Sequence, residues 1–283
     1  MVDPRIAKLA RVLVRYSLDL QPGQLFKINA NAVAAPLVRE LYREALQAGA
    51  FPALQINLSG IEEIFYKHAS ETQLTTATEL QRHEMDVLHA LIVVLGNENT
   101  KALSNADPQK IALYQQTMRP INDRFFDRSS RGEANWLITQ FPTHAAAQDA
   151  DMSLADYEDF VYGAGKLHLD DPVAAWKAVH DEQQRLADIL ATKRVIRLLG
   201  PDTDLTYHTG GRSWINADGK RNFPDGEVFS SPDESKTEGH IRFTFPAVYA
   251  GREVADVRLE FQGGTAHRLH RLLLLAAGTV LGE

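Results

Sequence analysis

The chain has 283 residues, 44% hydrophobic and 24% charged, the balance of a globular protein with room for two domains. It contains no cysteine, which excludes disulfides, thiolate metal sites and a cysteine nucleophile, suits a cytoplasmic protein, and leaves only His, Asp, Glu or Tyr to hold a metal. A net charge of −7 and a pI near 5.8 argue against nucleic acid as a partner, the N-terminus lacks the apolar stretch of a signal peptide, and the apolar run Leu272 to Ala277 is too short for a membrane span.

In chain order, Ile6, Leu9, Ala10, Leu13 and Val14 recur at helical spacing, and Gln21-Pro22-Gly23 closes that helix. Leu25 to Ile28 reads as a strand. Ala35 to Ala48 reads as an amphipathic helix with Leu37, Val38, Leu41, Ala45 and Leu46 inward, ended by Gly49, and Pro52 to Leu58 is a second strand. Glu71 to Arg82 is a predicted helix, Val87 to Leu95 a strand buried on both faces, Pro108 to Phe126 a helix, and Trp136 to Phe141 a strand stopped by Pro142. Helices follow near Leu154 to Tyr162 and Pro172 to Leu190. This alternation predicts an α/β domain with a mostly parallel sheet over residues 1–190. From Lys193 the pattern changes to short alternating strands: Val195 to Leu199, Leu205 to His208, Val228 to Ser231, His240 to Phe245 and Val254 to Phe261. Gly and Asp turns separate them with no helix between, which predicts a second, mainly antiparallel β (α+β) domain over residues 191–283, a sheet or a barrel.

The common local signatures are absent: no Gly-x-x-x-x-Gly-Lys-[Ser/Thr], no strand followed by Gly-x-Gly-x-x-Gly, no His-Glu-x-x-His and no Gly-x-Ser-x-Gly. The alternating first half permits a nucleotide site, but no phosphate loop supports one. The densest stretch is Asn222-Phe-Pro-Asp-Gly-Glu-Val-Phe229. Pro224 pre-sets its φ, Gly226 tolerates a positive one, and Glu227 follows directly at the entrance to a strand. A carboxylate held this rigidly suits a divalent-metal ligand, although an exposed Glu after a turn is the plainer reading.

Asp202-Thr-Asp-Leu205, Gly211-Arg-Ser-Trp214 and Asn222 to Phe229 together resemble the aminopeptidase T / aminopeptidase S / PepS family of metallopeptidases. Leu13 to Leu18 with Gln21-Pro-Gly23, Trp136 to Thr143 with Met152, and Ser235 to Gly239 with His240-Ile-Arg-Phe243 extend the similarity from residue 1 to about 264. The resemblance implies a homodimeric metallo-aminopeptidase acting on peptide substrates, with two divalent metal ions (cobalt, zinc or magnesium) that activate a water. It implies a ligand set of two Glu, two His and one Asp with a Tyr nearby, of which Glu227 is the first.

After Gly263-Gly264 the sequence departs from the family pattern, which reads as a truncated or frame-shifted end, and the resemblance then implies an incomplete second domain and a chain weakly active or inactive. Gly282-Glu283 superficially resembles the second ligand loop, but lies too close to Gly264. His267 and His270, three apart, would share one face of a terminal helix and reach one metal; two polar residues on its exposed side is the simpler reading. His208 beside Tyr207 reads as structural or as a pocket wall. Arg212 and Trp214 either shape a cleft or serve as an acid's partner and a core residue. Asp202 and Asp204 organise a turn, Asp171-Pro172 after His168 and Asp170 starts a helix, and Asn57-Leu-Ser59 is a sequon by pattern only. The alternative to an enzyme is a non-catalytic α/β binding or assembly module derived from one.

Overall fold

The computed structural model describes residues 3–245, 247–249, 252–275 and 279–282, and the chain divides into two compact units, residues 1–179 with 217–226, and residues 180–216 with 227–283.

In the first unit, Asp3 caps helix α1 (Pro4–Val12) by accepting the Arg5 N–H at 2.8 Å, and a π-helical turn, Leu13–Ser17, completes the segment. Strand β1 (Leu25–Asn31) leads through a short 3-10 turn into α2 (Ala35–Gln47) and then β2 (Phe51–Asn57). Gly49, at φ 77°, ends α2 with its N–H on the Leu46 carbonyl, as a left-handed stop requires. Leu37, Val38, Leu41 and Ala45 are buried as their spacing predicts, whereas Leu46 is exposed, because the buried stripe has turned past it.

The stretch predicted as one helix at Glu71 to Arg82 is two, α4 (Glu71–Thr75) and α5 (Glu79–Val87), preceded by α3 (Ile61–His68). Ser70 and Thr78 each form a reciprocal capping box, with Gln73 and Gln81, so two helix starts lie where one continuous pattern was read. Because α5 runs to Val87, strand β3 begins later, at Ala90–Leu95. Its buried residues alternate: Ala90, Ile92 and Val94 are fully enclosed while Leu91 and Val93 are only half-buried. Then come α6 (Pro108–Ser130), β4 (Asn135–Gln140), α7 (His144–Asp149), α8 (Leu154–Ala164) and α9 (Pro172–Ala191). The Asp171 carboxylate accepts the Ala174 N–H at 3.0 Å at the start of α9, as the Asp-Pro pair predicts.

In the second unit, β5 (Val195–Gly200) and β6 (Thr203–His208) form a hairpin. Strand β7 (Ile215–Ala217) pairs with β9 (Glu227–Phe229), and between them β8 (Asn222–Phe223) belongs to the first unit. Strands β10 (Thr237–Phe243), β11 (Ala247–Tyr249), β12 (Arg252–Gln262), β13 (Thr265–Leu275) and β14 (Thr279–Gly282) follow.

The first unit's sheet runs in the order β2-β1-β3-β4-β8, all parallel. Phe26, Ile28, Ala30, Ala90, Ile92, Val94 and Leu137 form its enclosed face with α1, α2 and Trp176 of α9. Tyr16 lies in this core and donates its hydroxyl to the Asp218 carbonyl at 3.0 Å. The second unit's sheet is antiparallel, ordered β14-β13-β12-β10-β6-β5 with β11 beside β12. The α/β class is thus borne out, with a parallel and an antiparallel sheet. The terminal helix expected around His267 and His270 is replaced by strand β13: its Leu-rich run pairs in register with β12, and non-local ladder pairing overrides the helix propensity of Leu and Arg.

Candidate functional site

The Asn222 to Phe229 loop is held at both ends. Asn222 and Phe223 pair with Ile138 and Thr139 of β4, and the Thr139 hydroxyl donates to the Phe223 carbonyl at 2.8 Å. The Phe223 ring is 2% exposed and packs on the Trp176 indole with centroids 5.1 Å apart. The Phe223–Pro224 bond is cis. Gly226 takes φ 127°, a conformation open to glycine, and donates its N–H to the Ala217 carbonyl at 3.1 Å. The next residue, Glu227, opens β9 as the turn chemistry predicts.

The Glu227 backbone carbonyl accepts the Gln183 side-chain amide at 2.8 Å, and Gln183, on α9, also donates to the Asn216 side chain at 3.0 Å. Gln183 is buried, so this amide ties strand β9 to its own unit's helix through bonds that leave little polar surface unpaired. The Glu227 side chain is exposed and has no ion pair or hydrogen bond among the described residues. It is a rigidly based, freely accessible carboxylate. Gln183 has no local signature in the sequence: its partners lie 33 and 44 residues away.

The other sequence candidates disperse. His208 ends β6, where its carbonyl accepts the Asp233 N–H at 2.7 Å, a structural position. Arg212 pairs with Glu234 at 2.6 Å, the plainer of its two readings. Trp214 is half-buried, and its indole N–H meets no acceptor among the described residues. Asp202 sits at φ 50° in the β5–β6 turn and pairs with Arg242 at 2.7 Å. Asp204, one residue into β6, pairs with Arg197 across the hairpin at 2.7 Å, and that guanidinium's hydrogen bond lowers its carboxyl below the ordinary range. His267 is exposed on β13, 3.7 Å from Glu260, and this segment is a strand, not the terminal helix on which the pairing with His270 depended. Glu283 lies outside the described residues.

Nearby, Asp233 accepts Lys236 at 2.7 Å and both the side chain and the N–H of Ser235. These bonds, led by that from Lys236, hold its carboxyl well below the usual carboxylate range.

Among the described residues no group of three or more His, Cys, Asp or Glu comes together to hold a metal ion. Glu227 alone offers one oxygen donor group, so the described residues do not by themselves fit a metal centre. No described helix is long and apolar enough to cross a membrane.

Residues 2–270 match the family described as thermophilic metalloprotease (M29). Aminopeptidase 2 of Geobacillus stearothermophilus is 27% identical, aligned over 93% of this chain and 68% of its own length. Aminopeptidase T of Thermus aquaticus is 28% identical over 92% of this chain and 69% of its own. The solved structure of wild-type AmpT from Thermus thermophilus superposes with a TM-score of 0.80 at 23% identity, covering 97% of this chain and 72% of that one, and so shares the fold. With almost the whole chain matched by one family, and relatives that are named aminopeptidases, the chain belongs to the thermophilic metalloprotease (M29) family of enzymes.

Proposed function

We propose that this chain is a cytoplasmic metallo-aminopeptidase component that removes N-terminal residues from peptides, acts as a homodimer, and contributes Glu227 to a centre of two divalent ions such as cobalt, zinc or magnesium. The observation that supports this most directly is the loop itself. Within its own unit the Gln183 amide holds the Glu227 backbone carbonyl while leaving the Glu227 carboxylate exposed and unpaired among the described residues. Such a group holds its charge in place without a competing internal partner, which is what a ligand position requires.

A single carboxylate binds a divalent ion weakly, so weak turnover is expected where Glu227 acts without the rest of a ligand set. The test is release of an aminoacyl chromophore with cobalt, zinc or magnesium added, in wild type and Glu227→Ala. The expected result is a weak signal that both chelation and the substitution abolish. Turnover that Glu227→Ala leaves intact removes Glu227 from the site.

The missing donor set among the described residues also favours a second reading, a non-catalytic binding or assembly module derived from the enzyme. Stable dimers with no metal binding by calorimetry and no metal-stimulated turnover would select it.

A further inference from the structure

The strand order β2-β1-β3-β4 changes direction once. The connection after β1 leads outward to β2, and the next one steps back over β1 to β3. In open parallel sheets the crevice beyond the carboxyl ends of the strands at such a reversal is where ligands bind. Here that crevice is a cavity of about 340 Å³, within the first unit and remote in sequence from the Glu227 loop. Its size falls in the range of small-molecule sites.

Its wall is built of amides. Asn57 ends β2 and donates its side-chain N–H to Asn29 Oδ1 at 2.8 Å, while Gln55 donates to Asn57 Oδ1 at 3.4 Å. Asn31, which ends β1, donates to the Gly96 carbonyl and to Asn97 Oδ1, each at 2.8 Å. These bonds lock the amides to one another across three strand ends. They also leave the Asn31 and Gln55 side-chain oxygens without a donor among the described residues. Asparagine is depleted in strands, so its recurrence where apolar strands end points to local use of the side chains.

The rim decides the ligand's charge. Glu62, Glu63 and Glu98 line it, and no lysine, arginine or histidine does. A phosphate-bearing ligand would face repulsion with no compensating cation. The same three carboxylates form no metal-holding group with their neighbours, so a bare divalent ion also lacks its donor set. Leu58 and Ile61 also line the cavity, and both are exposed. A ligand with an ammonium head and a methylene body suits all three surfaces: carboxylates for the charge, the Gln55 and Asn31 amide oxygens to accept its N–H groups, and apolar side chains for the stem.

We propose that this cavity is a binding site for a small aliphatic amine. The site does not rest on the peptidase reading and stands whether or not the chain cleaves peptides.

Titration calorimetry of the full chain with spermidine tests it, with ADP as the phosphate-bearing comparison. One spermidine per chain is expected to bind saturably, with affinity reduced at least about tenfold in Glu62→Gln/Glu63→Gln and reduced also in Gln55→Leu. The charge-matched Glu71→Gln/Glu79→Gln chain is expected to bind as wild type, which separates a site from general attraction to an acidic protein. The Gln55, Glu62 and Glu63 side chains are all exposed, so these variants are expected to fold as wild type. No saturation at millimolar spermidine, equal weakening by the control pair, or ADP binding as tight as spermidine would each overturn the proposal.

Discussion

Phe223→Ala tests whether strand β8 is anchored in its own unit by its aromatic side chain. The ring is 2% exposed, contacts Trp176 at a centroid distance of 5.1 Å, and lies within 3.1 Å of where a Cβ on Gly219 would sit, so it is enclosed on several sides. Losing its burial removes about 2–3 kcal/mol of transfer free energy. The vacated space and the lost ring contact bring the total to about 3–5 kcal/mol, since the surrounding strand and helix can collapse only partly. At roughly 2–4 °C per kcal/mol for a protein of this size, the melting temperature should fall by about 6–20 °C. Near-UV circular dichroism, to which Trp176 contributes with the other aromatic residues, gives the melt, and denaturant titration gives the free energy. Phe223→Leu, which keeps most of the volume, should lose about half as much or less. A loss below about 1 kcal/mol for Phe223→Ala would refute the anchor, because a surface substitution does no worse.

Two further outcomes follow from the second unit. A Cβ on Gly239 (φ 106°) would lie 2.0 Å from the Asp204 carbonyl oxygen, so Gly239→Ala must push β10 off β6 and cost about 2–4 kcal/mol; a melt within 2 °C of wild type, roughly, would contradict that close approach. Asp233 has its carboxyl lowered below its ordinary 3.8 by Lys236 first and then Ser235. A depressed folded-state value means its stabilisation is fully present above that ordinary value and is lost as pH falls below it. Carbon-detected NMR should show Asp233 titrating well under 3.8 in the wild type and closer to it in Lys236→Met; a midpoint at the ordinary value in wild type would remove the claim.

The elements that were legible in the sequence owe their form to local chemistry. Gly49 needed a positive φ, Asp171-Pro172 made a helix start, and Pro224-Asp-Gly226 made a turn; each appears where its chemistry requires. The errors share a different cause. The two capping boxes at Ser70 and Thr78 interrupt what read as one helix, although their Ser-x-x-Gln and Thr-x-x-Gln patterns were visible. Strand β13 was read as helix because its Leu and Arg favour helix alone, and only the partner strand β12 decides otherwise. At the site, Glu227 could be singled out because the turn beside it is local. Gln183 could not, because its role exists only after α9 and β9 meet. The amide cavity escaped for the same reason: Asn29, Asn31 and Asn57 come together only when the parallel sheet forms, and Asn57 alone reads as a sequon.

Strand β8 has a consequence for synthesis. Phe223 joins a sheet whose neighbouring strand was made 84 residues earlier, at Thr139. At roughly 5–20 residues per second, the ribosome delivers that last strand about 4–17 s after β4 has emerged. Throughout that interval the β4 edge has no strand to pair with, while the residues that will form β5 to β7 are still being added. A nascent first unit is therefore exposed to mispairing at this one edge, and a fragment cut at residue 190 would keep that exposure permanently.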